Sequence, residues 1–168
     1  STFTETDLHL IESLAGHAVV AIEKARAFEE IKTRSDRQEA LRKVTGDITR
    51  HLDLPTLFRR ICEGVCGLLD VEFGRLFVLE ESAEAFRLAG YFNRIKKDYQ
   101  PTPVIPKGIG IVSRVYTERA PVIVSDIGKG PDWYNQEGID RLGVRSFVGV
   151  PLLLRSRVVG VLHCFTTQ

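Results

Sequence analysis

Proline is confined to one part of this chain. None occurs before Pro55, and all seven fall from there onward. Proline inside a helix removes a hydrogen bond and clashes with the preceding turn. The stretch before Pro55 is therefore free to form long helix, while the rest must break into short elements. Within residues 5–51 only Gly16 and Gly46 are strong breakers, and the stretch is predicted helical. Thr4 with Asp7 resembles a capping box, and Glu5 and Asp7 suit the positive end of a helix dipole. Leu8, Ile11, Ala15, Ala18, Ile22 and Ala25 recur at helical spacing and form one apolar stripe. That register then meets Glu29 and Lys32 and fails. A second stripe, Leu41, Val44, Ile48 and Leu52, starts in another phase, and the polar segment KTRSDRQE lies between them. Two helical segments serving two surfaces, joined by a charged connector, are expected.

Asp53 is placed to cap a further helix with Pro55 in its first turn. Leu57, Phe58, Ile61, Cys62, Val65, Leu68 and Leu69 are its buried stripe. From Val71 the texture changes to strands. Segments 74–79 and 85–92 flank the polar EESAE, a hairpin signal. After the proline-rich PTPVIPKG come a short helix over 110–118, the strand PVIVSDI and a short helix or turn in YNQEGIDRLG. Segments 144–154 and 157–166 are two apolar strands around a tight Arg-Ser turn. The class is α+β, with five to six mostly antiparallel strands behind a long N-terminal helical arm.

Bulk properties exclude several function classes. A net charge of +1 gives no electrostatic case for nucleic acid or an anionic membrane. Three cysteines are too few for a disulfide scaffold. The longest clean apolar run, residues 147–154, includes Pro151 and is too short to span a bilayer. No signal peptide opens the chain. A cytoplasmic protein with reduced thiols is expected. The chain contains no Met, so a piece of a longer protein is expected, with Ser1 a tag remnant.

The segments GIGIVSRVYTERAPVIVSDI and GVRSFVGVPLLLRSRVVGVLHCFTTQ resemble the second half of a GAF domain. DLPTLFRRICEGVCGLLDVEFGRLFVLEE resembles its opening helix and first strand. The resemblance implies a GAF-like central antiparallel sheet with helices on one face. FTETDLHLIESLAGHAVVAIEKARAFEE, at the start, looks like the closing helix of a GAF domain. The implied organisation is 1–31 as the closing helix of a preceding repeat, 32–40 as a charged helical linker, and 41–168 as a GAF domain lacking its own closing helix. The implied context is a multidomain signalling protein with tandem GAF repeats, such as a histidine kinase. The implied function is a non-catalytic regulatory module that relays a ligand or conformational signal through helices and dimerisation. The alternatives are a small-molecule sensor with an aromatic pocket for haem, a nucleotide or another ligand, and a thiol redox enzyme of the free methionine sulfoxide reductase type. The cofactor is left unknown. No interaction with nucleic acid and no membrane insertion are expected.

Several residues invite sharper readings. His51 precedes Leu52, where a phosphoacceptor histidine would be followed by an acidic residue; it reads as a helix-end histidine beside Asp53. Cys62 and Cys66 lie at i, i+4, but no further Cys or His pair follows at zinc-site spacing, so they read as core filling. Cys164 is the third thiol. The reductase branch of the family places its cysteines in pocket loops, and residues 80–143 contain none. His163 shares strand parity with Val159, Val161 and Phe165 and reads as a satisfied core or edge histidine. Asn93 and Asp126 match a nucleotide-binding signature only singly, and Lys107, Gly108 and Gly110 lack the spacing of a phosphate loop.

One constellation remains. Tyr91, Phe92, Tyr99, Trp133 and Tyr134 fall in the segment that encloses the small-molecule pocket in the family. Aromatic walls suit a planar or apolar ligand; alternatively these rings fill the pocket themselves. Trp133 and Phe92 are expected to line it, with Asp126 or Ser146 as polar contacts. The first apolar stripe, Leu8 to Ala25, is expected to make a homodimer. A continuous N-terminal helix would carry it away from its own sheet, although a broken connector would let it fold back.

Overall fold

The computed structural model describes residues 3–39, 53–95, 100–129 and 133–168. Helix α1 spans Glu5–Glu39. Its start is the predicted box: the Thr4 backbone N–H and hydroxyl both donate to the Asp7 carboxylate, and the Asp7 N–H donates to Thr4 Oγ1. The helix runs through the polar connector as far as Glu39. The second stripe, Leu41 to Leu52, and His51 lie outside the described residues.

Helix α2 spans Leu54–Leu69, with Pro55 in its first turn. Asp53 caps it, accepting from the Thr56 N–H. The hydroxyl and then the N–H of Thr56 hold the Asp53 carboxyl below its usual range. Asp70 takes a left-handed conformation at φ 52° and ends the helix.

Six strands follow: β1 Phe73–Glu80, β2 Ala85–Asn93, β3 Val104–Pro106, β4 Val122–Val124, β5 Ser146–Leu154 and β6 Arg157–Thr166. Their order in the sheet is β3-β2-β1-β6-β5-β4, and every pairing is antiparallel. Two shorter helices, α3 Gly110–Glu118 and α4 Gln136–Leu142, lie in the long crossing between β3 and β5. β6 is buried from Val158 to Thr166 because both faces of the sheet are covered. A strand buried on both faces reads as a continuous apolar run rather than an alternating one, which is how its sequence reads.

Two apolar layers flank the sheet. On one face α1 and α2 pack with Leu76, Val148, Val150, Leu152, Leu162 and Cys164. On the other, α3, α4 and the crossing pack with Phe73, Phe77, Phe86, Phe147, Val161 and Phe165. Glycines set the height of α2: a Cβ at Gly90 would lie 2.7 Å from the Phe58 carbonyl oxygen, and one at Gly74 2.8 Å from Cys66 Sγ. Only hydrogen at these positions lets the helix backbone approach so closely.

The placement of α1 departs from the favoured expectation. It is continuous, yet it packs in cis, against β5 and α2 of its own chain. Ile11, Ala15, Ala18 and Ile22 of the stripe are buried there, with Leu8 packed beside them and Ala25 half-buried. No break in the connector is needed for this. The helix packs alongside the sheet through these residues.

Candidate functional site

The site grows out of the central strand. On β1, Arg75 shares the parity of Phe73 and Phe77 and so faces α3 and α4 rather than α2. Across the ladders it stands opposite Tyr91 on β2 and His163 on β6. Its guanidinium lies 5.0 Å from the ring centroid of Phe165 and 5.9 Å from that of Tyr91, within reach of cation–π attraction. Arg75 is 7% exposed and His163 1%.

His163 is held by rings. Its imidazole stacks on Phe77 at 5.6 Å and packs against Phe147 at 5.3 Å and Phe165 at 4.9 Å. Neither ring nitrogen has a hydrogen-bond partner. The sequence reading of a satisfied histidine is thus corrected: the residue is core, and it is unsatisfied. A buried polar group left unmade costs about 1–3 kcal/mol.

These groups line a cavity of about 40 Å³. Its roof is the N-terminal turn of α3, where Ile109, Gly110, Ile111 and Val112 approach it. Ile109 stands at the cap position and supplies no side-chain cap. Trp133, Tyr134 and Asn135 close the other side. Trp133 packs on Phe147 and Phe165 at 5.6 and 6.1 Å, and its buried indole N–H has no acceptor. Asn135 caps α4 by accepting from the Gly138 N–H and donates through Nδ2 to Thr102 Oγ1 at 3.1 Å. That bond ties α4 to the segment before β3.

Of the nominated pocket residues, Trp133 and Tyr134 line the cavity. Tyr91 stands one residue pair behind it, beside Arg75. Phe92 does not line it. A bulge in β2 moves the pairing from Phe77↔Leu88 to Leu76↔Gly90, so an extra residue, Ala89, enters the strand. The inserted residue inverts the parity, and Phe92 lands in the layer under α2. Ser146 also belongs elsewhere; it is buried with the parity of Val148 and Val150, facing the helical layer. Asp126 is exposed and accepts from the Gly128 N–H, a turn cap as its residue type favours. Tyr99 lies outside the described residues. Arg75, His163 and the α3 turn were absent from the nominated set. Their signal was available only as a charged residue at an inward position of the first strand.

All three thiols lie on the opposite face of the sheet. Cys62 and Cys66 on α2 and Cys164 on β6 are fully buried between the helix and the sheet. Burial first, then the neighbouring Cys66, pushes the Cys62 thiol far above its usual range. A hydrogen bond with Cys66, and then burial, does the same for Cys164. Native labelling by a thiol reagent should therefore be slow at all three, limited by opening of the domain. Rapid labelling of Cys62 and Cys66 in the folded chain would overturn their assignment to the core. Among the described residues no group of three His, Cys, Asp or Glu is placed to hold a metal, and no helix is long and apolar enough to cross a membrane.

His163 makes stability depend on pH. Burial first, then the positive charge of Arg75, lowers its affinity for a proton well below the usual imidazole range. The unfolded chain therefore binds a proton there as pH falls through about 6.5, while the folded chain does not. Stability drops on the acid side, by about 1.4 kcal/mol per pH unit until the folded-state imidazole titrates. His163→Phe should remove this slope, so denaturant melts of both proteins between about pH 7.5 and 5.5 should diverge by about 1.4 kcal/mol. Parallel pH profiles would refute the neutral buried imidazole.

A family model described as GAF domain matches residues 51–168. No curated protein matches the chain. Among solved structures, the free methionine-R-sulfoxide reductase of Neisseria meningitidis, in complex with its substrate, aligns at TM-score 0.58 and 18% identity, covering 71% of this chain and 66% of that one. The GAF domain from an Acinetobacter phosphoenolpyruvate-protein phosphotransferase aligns at 0.58 and 20%, covering 71% and 69%. The A. aeolicus nlh2 GAF domain, in an inactive state, aligns at 0.54 and 18%, covering 93% of this chain and 81% of that one. The chain thus spans about two thirds of the length of the first two, and at these identities the likeness is one of fold.

Proposed function

The chain belongs to the GAF domain family, and from that premise we propose that it is a non-catalytic regulatory module whose cavity receives a small ligand and whose helical layer carries the signal onward. One observation carries this reading. The cavity and the helices lie on opposite faces of one sheet and meet on a single strand, β6. His163 and Phe165 face the cavity, while Leu162 and Cys164, which alternate with them, face α2 and its neighbours. A ligand that shifts β6 on one face must repack the other, because cores transmit displacement rather than absorb it.

Several features support this over the alternatives. A volume of about 40 Å³ is far below the roughly 300 Å³ that a drug-sized ligand requires, which disfavours haem or a nucleotide. The thiols are buried across the sheet from the cavity, which disfavours a thiol reductase. The parent is proposed to be a cytoplasmic multidomain signalling protein with tandem GAF repeats; for residues 1–31 to close a preceding repeat, with 32–40 as the link, the stripe of α1 would have to leave its own sheet. A homodimer through the N-terminal helices stays in the proposal in changed form. Its stripe is occupied in cis, so such a dimer requires exchange of α1 between two copies. Light scattering on the intact chain tests it: twice the chain mass supports exchange, and a monomer at every concentration removes it.

Hydrogen exchange tests the relay. Trp133→Ala, made on the cavity side, should speed exchange in α1 around residues 11–22, across the sheet. Unchanged exchange there would refute coupling between the faces. Turnover of free methionine-R-sulfoxide with a thiol reductant would refute the non-catalytic reading.

A further inference from the structure

The cavity is polar in one sense only. The N-terminal turn of α3, from Ile109 to Val112, lines it, and no side chain caps that helix start. A helix N-terminus carries about half a positive charge and favours anions. The indole N–H of Trp133 is buried with no acceptor. His163, 1% exposed and lining the same space, has no partner at either nitrogen. The permanent charge of Arg75 lines it too. Among the described residues no side-chain carboxylate lines it. Three separate elements therefore bring donors or positive potential to one small space, and its described lining carries no negative charge in return.

We propose that this cavity binds one compact anion, the size of formate or nitrate, held by the amides at the start of α3 and the N–H groups of Trp133 and His163, with the charge of Arg75 behind them. This rests on reading the cavity as the input of the module and names the ligand class for it. Size sets the limit: about 40 Å³ admits a few water-sized groups, so bulkier carboxylates are excluded unless Trp133 moves. Burial sets the strength, because a desolvated anion binds only where each of its oxygens meets a donor. Binding would also give an acceptor to the indole N–H of Trp133 and to the one N–H of the neutral His163 imidazole.

The test is calorimetry and thermal melting of the intact chain with sodium formate, at ionic strength fixed with sodium chloride. Formamide, neutral and of the same size, is the comparison. Saturable formate binding with a rise in Tm, and none with formamide, is expected. Trp133→Phe keeps the ring and deletes the N–H; it should weaken formate binding about tenfold, the usual cost of one buried hydrogen bond to a charged group. If formamide binds and formate does not, the anion assignment falls while the sensory reading stands. If neither formate nor nitrate binds the wild-type chain, the assignment falls as well, whatever the variant does. If the Trp133→Ala exchange experiment also shows no coupling, the sensory reading falls with it.

Discussion

A chain beginning at residue 35 should not fold. Without α1, the sheet surface around Val148, Val150, Leu152 and Val159 loses the cover of Ile11, Ala15, Ala18, Ala21 and Ile22. Each of the two isoleucines contributes about 1.5–3 kcal/mol on full burial. With the alanines and the half-buried Leu8, Leu14 and Val19 added, the loss is about 5 kcal/mol or more, comparable to the whole stability of a typical domain. The newly bare patch would also be an aggregation site. Thermal melting and light scattering should show the truncated chain without a cooperative transition and in large particles. A soluble truncated chain that melts cooperatively at an unchanged Tm would show that α1 is dispensable to the fold. The point substitution Ile11→Asp places a charge at a fully buried position and should reproduce most of the loss.

Phe147→Ala should be the most damaging single truncation on the cavity side. Its ring is fully buried and packs on His163, Phe165 and Trp133 together, at 5.3, 5.4 and 5.6 Å. A large-to-small change at such a site costs about 3–5 kcal/mol, the lost transfer energy plus the cavity left behind. Because Trp133 is the sole Trp in the chain, its emission should shift as the rings around it loosen. Loss of stability under about 1 kcal/mol, with unshifted emission, would contradict the packing described for this wall. The opposite outcome has a use: a variant that folds would carry an enlarged cavity, in which larger ligands could be tried.

Much of the fold was legible because it rests on local rules. Thr4 with Asp7, Asp53 with Pro55, the helical spacing from Phe58 to Val65, and the paired apolar runs around Arg155 and Ser156 all take the predicted form. Each depends on near neighbours, whose geometry follows from residue type and spacing. The site was legible only in part. Trp133 and Tyr134 could be placed because they sit in the covering segment. Phe92 could not, because a single inserted residue, Ala89, reverses which face it occupies, and the insertion shows only in the register of the paired hairpin, not in the spacing of the residues. Arg75 and His163 are 88 positions apart, the difference of their numbers, and meet only because β1 pairs with β6.

The same division holds for the N-terminal helix. Its start, its cap and its apolar stripe were written in the residues themselves. Which surface the stripe would cover was not, since an amphipathic helix specifies that it must be buried and leaves open against what. The sequence by itself determined the elements, their order and the α+β class. Tertiary structure alone decided that α1 lies on its own sheet and that one charged and one neutral base-like side chain face a helix N-terminus across a small cavity. Burial energy depends on apolar area and not on partner identity, so only the closed packing of the whole chain selects among partners.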